Sequence, residues 1–350
     1  MIQPKALASY VDPLSVQAGD TLRVMVSCHA SGGYQADLVR LISGDSRPRG
    51  TGFIETPIAA QFEGHYEGRE QPIAGGSFAR LPGLPAVASF TFSALIYPTT
   101  PYRDGQVIVA NERFRLRIEQ AVLVLESGSA RLTSTVPVAA MRWHAIELVA
   151  ANGNVKIALR GFGQGAAERA QRASTVDMPL ALEVPAGDWT LAGPGFNGCI
   201  EAPRLEDADG TLIAAWDFSR KMATDTIVDT SPHGRHGKLL QTPTRAVKGS
   251  RWDGSTQRWA DDPSQYAAIH FHEDDLTDAG WKPDIEWRIP DDLPSGQYAV
   301  RLRSGEANQK HDGEPVAEHE EDHAVFFVRR AASRVQGAKS AKIAYLAATA

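Results

Sequence analysis

Apolar and polar residues alternate along most of this chain in runs too short for helices, and Gly, Pro, Asp and Asn separate the runs. Leu22, Val24, Val26 and Cys28 alternate with Arg23, Met25 and Ser27 behind an Ala18-Gly19-Asp20 turn. This is the two-residue period of a half-buried strand. Residues 34–42 supply another. Near the other end, a turn from Pro290 to Gly296 leads into Tyr298, Val300 and Leu302, alternating with Ala299, Arg301 and Arg303. Residues 324–328, Ala-Val-Phe-Phe-Val, form an apolar, β-favouring run that predicts a buried strand.

The two terminal groups of strands are too few to close a sandwich separately, but together they supply about the number an immunoglobulin-like sandwich needs. The expected first domain is therefore split, residues 1–48 with 248–330, around an insertion at 49–247. Within the insertion, strands are expected at 76–81, 89–98, 105–109, 114–118, 121–126 and 143–148. Their regular spacing predicts a two-sheet jelly roll. A small, polar linker at 331–341 precedes residues 342–350, Lys-Ile-Ala-Tyr-Leu-Ala-Ala-Thr-Ala, expected to begin a further α/β domain. The fold class is all-β.

Composition fits a soluble globular protein, with 43% hydrophobic and 22% charged residues among 350. Thirty-six Lys and Arg against 42 Asp and Glu leave a net charge of −6, and no basic block offers a nucleic-acid footprint. Cys28 and Cys199 fall in different expected domains, so they read as small buried apolar residues rather than a disulfide framework. No signal peptide, membrane-length apolar run or N-x-[ST] site is present, which makes a cytoplasmic protein without membrane partners the expectation.

Residues 318–323, Glu-His-Glu-Glu-Asp-His, fit the H-E-x-x-H pattern, with His319 and His323 as zinc ligands and Glu320 beside the metal-bound water. That chemistry requires a helix, because helical geometry puts residues four apart on one face. The preceding run from Ser304 to Pro315 has no apolar stripe, and the strand at 324–328 follows at once. An acidic loop between strands is expected instead, and deletion of residues 313–322 is expected to leave the sandwich folded. His270 and His272 share one face of a strand, with Glu273, Asp274 and Asp275 following. They are either half of a divalent-metal site, which His319 and His323 would approach if the last strands pair, or polar rings on an edge strand. No spacing fixes a third ligand, so the second alternative is preferred. The seven tryptophans offer a sugar-stacking platform or, more simply, core and junction packing. No G-x-S-x-G elbow, C-x-x-C or Walker loop occurs, and no nucleophile, base and oxyanion site stand at defined spacing. No residue is assigned a catalytic, cofactor-binding or metal-binding role.

The insertion resembles the laminin-G and pentraxin-like, concanavalin-type sandwiches. The resemblance lies in the Phe-Thr-Phe-Ser-Ala-Leu-Ile-Tyr-Pro strand from Phe90, the strand pair around Asn152-Gly153 and the stretch from Phe196 to Leu205. Residues 214–240 resemble the family's opening, an aromatic strand followed by an Asp-x-Ser-x-x-x-x-His-Gly turn, here at the end, so the order looks circularly permuted. Some such domains bind calcium at this turn. Asp229 and its neighbours would offer oxygen ligands, or would close the turn by local hydrogen bonds with Gly234 and Gly237 supplying unusual φ values.

Nearly the whole chain resembles the large subunit of N,N-dimethylformamidase, most specifically at His270 to Trp281 and at Ile289 to Gly305. In that family such β domains precede an α/β region resembling glutamine amidotransferases, which holds a mononuclear iron with tyrosine and glutamate ligands. The resemblance implies that this chain is the non-catalytic front part, inactive alone and without a cofactor of its own. Its expected partners are that catalytic region, a small subunit and further copies of itself. The alternative is a stand-alone carbohydrate- or protein-binding module.

Overall fold

The computed structural model describes residues 6–329 except 31, 46, 48, 74, 164–172, 194 and 305–319. The expected linker and final strand at 331–350 lie outside the described residues. Among the described residues every regular element is a strand, apart from one 3-10 turn at Pro263–Tyr266. The protein is all-β.

The chain divides into two units, Met1–Ile73 with Gly280–Ala350, and Ala74–Ala279. The junctions therefore fall at 73/74 and 279/280 rather than the expected 48/49 and 247/248. Hydrogen bonding explains both differences. Gly52–Ile58 pairs with Tyr34–Asp45, and Arg69 accepts from the Cys28 amide at 2.9 Å, which ties residues 49–73 to the first unit. Ala268–Phe271 pairs with Gly198–Glu201 and with Thr244–Val247, which ties residues 248–279 to the second.

In the first unit, Thr21–Cys28 lies between Leu7–Asp12 and Pro283–Arg288 in a three-stranded sheet. A six-stranded sheet contains Ser15–Gln17, Glu321–Arg329, Gly296–Ser304, Tyr34–Asp45 and Gly52–Ile58 in that order, with Gly64–Tyr66 also on Tyr34–Asp45. Leu22, Val24 and Val26 meet Leu38, Trp287, Tyr298, Val300 and Phe326 in one core, as their alternation requires. Met25 and Ser27 are buried as well, which departs from a half-buried strand. Gln71 covers that face, donating to Val26 O at 3.0 Å and accepting from Ser27 Oγ at 3.2 Å.

The last strand starts at Glu321 rather than 324. Glu320 Oε2 accepts from the Leu7 amide at 2.9 Å, and Asp322 Oδ2 accepts from Ser9 Oγ at 2.6 Å. Removing residues 313–322 would therefore cut into the sheet, which corrects the expectation that those residues are dispensable.

The second unit is a longer strand path wrapped around its own core, where Phe90, Phe92 and Phe114 surround Trp189 with Leu116, Leu148 and Leu191. Phe78–Leu84, Phe90–Pro98, Gln106–Ala110, Arg115–Glu119, Val122–Ser127 and His144–Ala151 realise the six strands expected there, within a few residues. His144–Ala151 and Asn154–Gly161 form a hairpin whose two turn residues, Asn152 and Gly153, have φ of 53° and 73°. Consecutive positive φ values define the type I′ turn that suits the twist of a two-residue hairpin, and Asn-Gly supplies them at least cost.

Candidate functional site

The strand Gly198–Asp207 forks. From Gly198 to Glu201 it pairs on one side with Ala268–Phe271, and from Arg204 to Glu206 with Leu212–Asp217. On its other side it follows Phe90–Pro98, with a register shift between Glu201 and Arg204. Ala202, inside the shift, has φ of 50°. Three steps on this strand thus oppose two on the partner, which is a β-bulge.

A pocket of about 360 Å³ opens at this fork, lined among others by Leu95, Phe162, Glu201, Pro203, Ser250 and Phe218. Ile200 and Leu205 point into the core, so Glu201 projects from the opposite face. It is nevertheless only 4% exposed. The segment from Gly249 closes over it, and Ser250 N donates to Glu201 Oε2 at 2.6 Å. A Cβ at residue 249 would stand 2.9 Å from the same oxygen, so any residue other than glycine would displace the carboxylate. Gln265 pins the covering segment, donating to Asp262 Oδ2 and Ser255 Oγ and accepting from the Asp253 amide.

The sequence-predicted groups have other employment. The His270 and His272 rings lie 3.9 Å apart between centroids, and His272 Nδ1 is 3.4 Å from Asp275 Oδ2. That same oxygen accepts from Ser77 Oγ at 2.6 Å, and Glu273 pairs with Arg103. Two of the three acids offered as ligands, Glu273 and Asp275, thus fasten the segment after the His270 strand to neighbouring turns. The strand is not an edge strand, being paired on both sides. His270 Nε2 is buried without a hydrogen-bond partner, and burial, with the neighbouring His272, pushes its pKa below the usual imidazole value.

Asp229 Oδ1 accepts from the amides of Ala215 and Ser231, both at 2.9 Å, and its Oδ2 from Ser231 Oγ at 2.6 Å and Arg235 N at 2.7 Å. Burial alone would raise its pKa, but these bonds outweigh it and hold the carboxyl below the usual range. Both oxygens are engaged in closing the turn. Gly234 has φ of 62°, as expected for such a turn, whereas Gly237 is needed for close packing: a Cβ there would meet Ile227 at 2.5 Å.

His323 stands on a strand, which removes the helix that H-E-x-x-H requires; His319 lies outside the described residues. The Nε2 of His323 is 2.9 Å from Glu55 Oε2, in a network where Arg301 bonds Asp37 through Nε and Nη2 at 2.8 Å each and also pairs with Glu55. His323 belongs to the first unit, and His270 and His272 to the second. Among the described residues, no group of three or more His, Cys, Asp or Glu is placed to hold a metal ion. Six of the seven tryptophans are taken up in packing: Trp189, Trp216 and Trp287 are core, Trp281 packs on Tyr10, Trp143 on Tyr97, and Lys248 covers Trp252, while Trp259 is 46% exposed.

Sequence reasoning missed Glu201. Its signal was a single acid inside the otherwise apolar run from Cys199 to Pro203.

These features define an all-β protein of two units whose described polar clusters mostly hold turns and sheets together. The family described as N,N-dimethylformamidase beta subunit-like, C-terminal, matches residues 244–350. An N,N-dimethylformamidase beta subunit from Paracoccus aminophilus is 32% identical over 98% of this chain and 51% of its own length. One from an Alcaligenes species is 31% identical over 85% of this chain and 47% of its own. The chain belongs to the N,N-dimethylformamidase beta subunit family, and it spans about half the length of the curated relatives it matches. Among solved structures, a candidate carbohydrate-binding protein from Bacteroides ovatus aligns with 68% of this chain and 91% of its own, at 11% identity and a TM-score of 0.36. An SAP-like pentraxin from Limulus polyphemus aligns with 49% of this chain and 76% of its own, at 13% identity and a TM-score of 0.29. No helix among the described residues is long and apolar enough to cross a membrane.

Proposed function

We propose that this chain is the non-catalytic β scaffold of an N,N-dimethylformamidase-like amide hydrolase, working in the cytoplasm within an assembly that also contains a small subunit and further copies of the large one. The observation that carries this reading is the match across 98% of the chain to only 51% of an N,N-dimethylformamidase beta subunit. The groups weighed as metal ligands in sequence support it, because Asp229, Glu273, Asp275 and His323 are engaged by neighbouring protein groups. Hydrolysis of a small, stable amide calls for Lewis-acid polarisation and an activated water. In this reading an iron held by residues outside this chain supplies both. The β units hold that region, cover its substrate channel and provide contacts between subunits.

The test is the intact mass, iron content and formamide hydrolysis of the protein purified from its source. A product about twice 37.8 kDa, carrying iron and hydrolysing N,N-dimethylformamide, is expected, while residues 1–350 alone should be inactive. A native product of this length that hydrolyses the amide, or that lacks both iron and activity, would overturn the proposal.

A further inference from the structure

We propose that the pocket at the fork binds an organic ammonium ion, with Glu201 as its anionic anchor. A carboxylate buried to this degree is costly unless a cation or several donors satisfy it. Glu201 has one donor, Ser250 N on Oε2; Oε1 accepts no hydrogen bond among the described residues. No Lys, Arg or His of the described chain forms an ion pair with it: Arg204, two residues beyond the bulge, is engaged with Glu206. Beside the carboxylate, Ser250 Oγ is buried with no partner. Two polar groups that want a donor or acceptor therefore face the same pocket.

The remaining wall selects among ligands. Leu95, Phe162 and Pro203 are apolar, with Phe162 40% exposed at the rim; Arg204, held by Glu206, and the exposed Arg251 also line the pocket, and neither forms an ion pair with Glu201. A divalent metal would want six or more oxygens, whereas the wall's two carboxylates are Glu201 and Asp217, and Asp217 is already engaged by Ser219 and Arg220. An alkylammonium ion fits both halves: its N–H groups meet Glu201 Oε1 and Ser250 Oγ, and its carbon substituents lie against Leu95, Pro203 and the Phe162 ring, which attracts a cation through its face. The volume of about 360 Å³ admits an amine of several carbons or the end of a lysine side chain. The geometry has the same origin as the fold: the bulge and the divergence of the two neighbouring strands leave the gap, and Gly249 lets a loop roof it without filling it.

This inference is independent of the scaffold reading, since it concerns binding rather than amide hydrolysis. The experiment titrates n-butylammonium, dimethylammonium, a lysine-containing tripeptide, n-butanol and glucose into the full chain, followed by calorimetry and thermal unfolding. Saturable binding of at least one ammonium probe is expected, with n-butanol and glucose at least tenfold weaker; whether the free amines or the tripeptide bind better tells a metabolite from a peptide side chain. Glu201→Gln should weaken the ammonium probe tenfold or more, and Phe162→Ala, at a partly exposed position that folding tolerates, threefold or more. Absence of saturable ammonium binding by the wild-type chain, equal binding of n-butanol, stronger binding of glucose, or undiminished binding by folded Phe162→Ala would each overturn the proposal.

Discussion

Asp229→Ala tests whether the turn from Asp229 to Gly237 is a structural device or a cation site. The wild-type side chain is 4% exposed and accepts four bonds. Truncation leaves Ser231 Oγ a fallback acceptor, Ile213 O at 3.4 Å, but strands the amides of Ala215, Ser231 and Arg235. A buried donor left without a partner costs about 1–3 kcal/mol, and water will reach some of these, so a loss of roughly 3–5 kcal/mol is expected. Asp229→Asn keeps the two bonds on one oxygen but turns an amide N–H group toward the Arg235 amide, which predicts an intermediate loss of about 1.5–3 kcal/mol. Because the folded pKa of Asp229 is depressed, its contribution is present above the unfolded value near ~3.9 and disappears as pH falls through the folded value. The gap between wild type and Asp229→Asn should therefore close at acidic pH. Urea unfolding gives the energies, and hydrogen exchange of residues 213–217 and 229–237 localises them. Millimolar calcium should leave the wild type unchanged. A loss below 1 kcal/mol in Asp229→Ala, or a calcium-dependent rise in stability that Asp229→Asn abolishes, would refute the reasoning.

Arg301→Met leaves Asp37 and Glu55, each about one-fifth exposed or less at the side chain, without their shared guanidinium; thermal unfolding should register a loss of about 1–3 kcal/mol, discounted for partial solvent screening. Trp189→Ala empties the centre of the Phe90, Phe92 and Phe114 cluster and should cost about 3–5 kcal/mol in urea titration, with a smaller loss indicating that the cluster collapses into the space. Cys199 is buried, and burial with the nearby Glu201 charge pushes its thiol pKa up to about 12, so mass spectrometry should find it unalkylated by iodoacetamide at pH 8 until the protein is unfolded.

What the sequence disclosed, and what it hid, follows from how far apart the interacting residues lie. The Asn152-Gly153 hairpin was legible because two adjacent residues determine the turn and the flanking alternation determines the register. The core face of Thr21–Cys28 was equally legible, since side-chain period alone assigns it. The burial of Met25 and Ser27 was not, because the covering Gln71 comes more than forty positions later and carries no apolar signal. The same holds for the domain junctions. Gly52–Ile58 exposes Phe53 and Ile54 at 56% and 42%, so its sequence lacks the alternation of a half-buried strand, and only pairing with Tyr34–Asp45 places it in the first unit.

Glu201 is the sharper case, since its local pattern was visible and its meaning was not. An acid between Ile200 and Ala202 in a strand ordinarily marks a solvent-facing position. It is buried here because Ser250, forty-nine positions later, donates to it across a glycine that permits contact. Its strand neighbour Ala268 lies further still along the chain, and the bulge that opens the pocket arises only when Gly198–Asp207 exchanges one neighbour for another. His323 makes the converse point. Its motif was conspicuous in sequence, yet a strand period of two sends alternate residues to opposite faces, so His323 meets its cross-strand neighbour Arg301 and, from two strands further across the sheet, Glu55. A chemical motif in a β protein must therefore be judged across the ladder, and there it is Glu201, without an ion pair among the described residues, that remains to be satisfied.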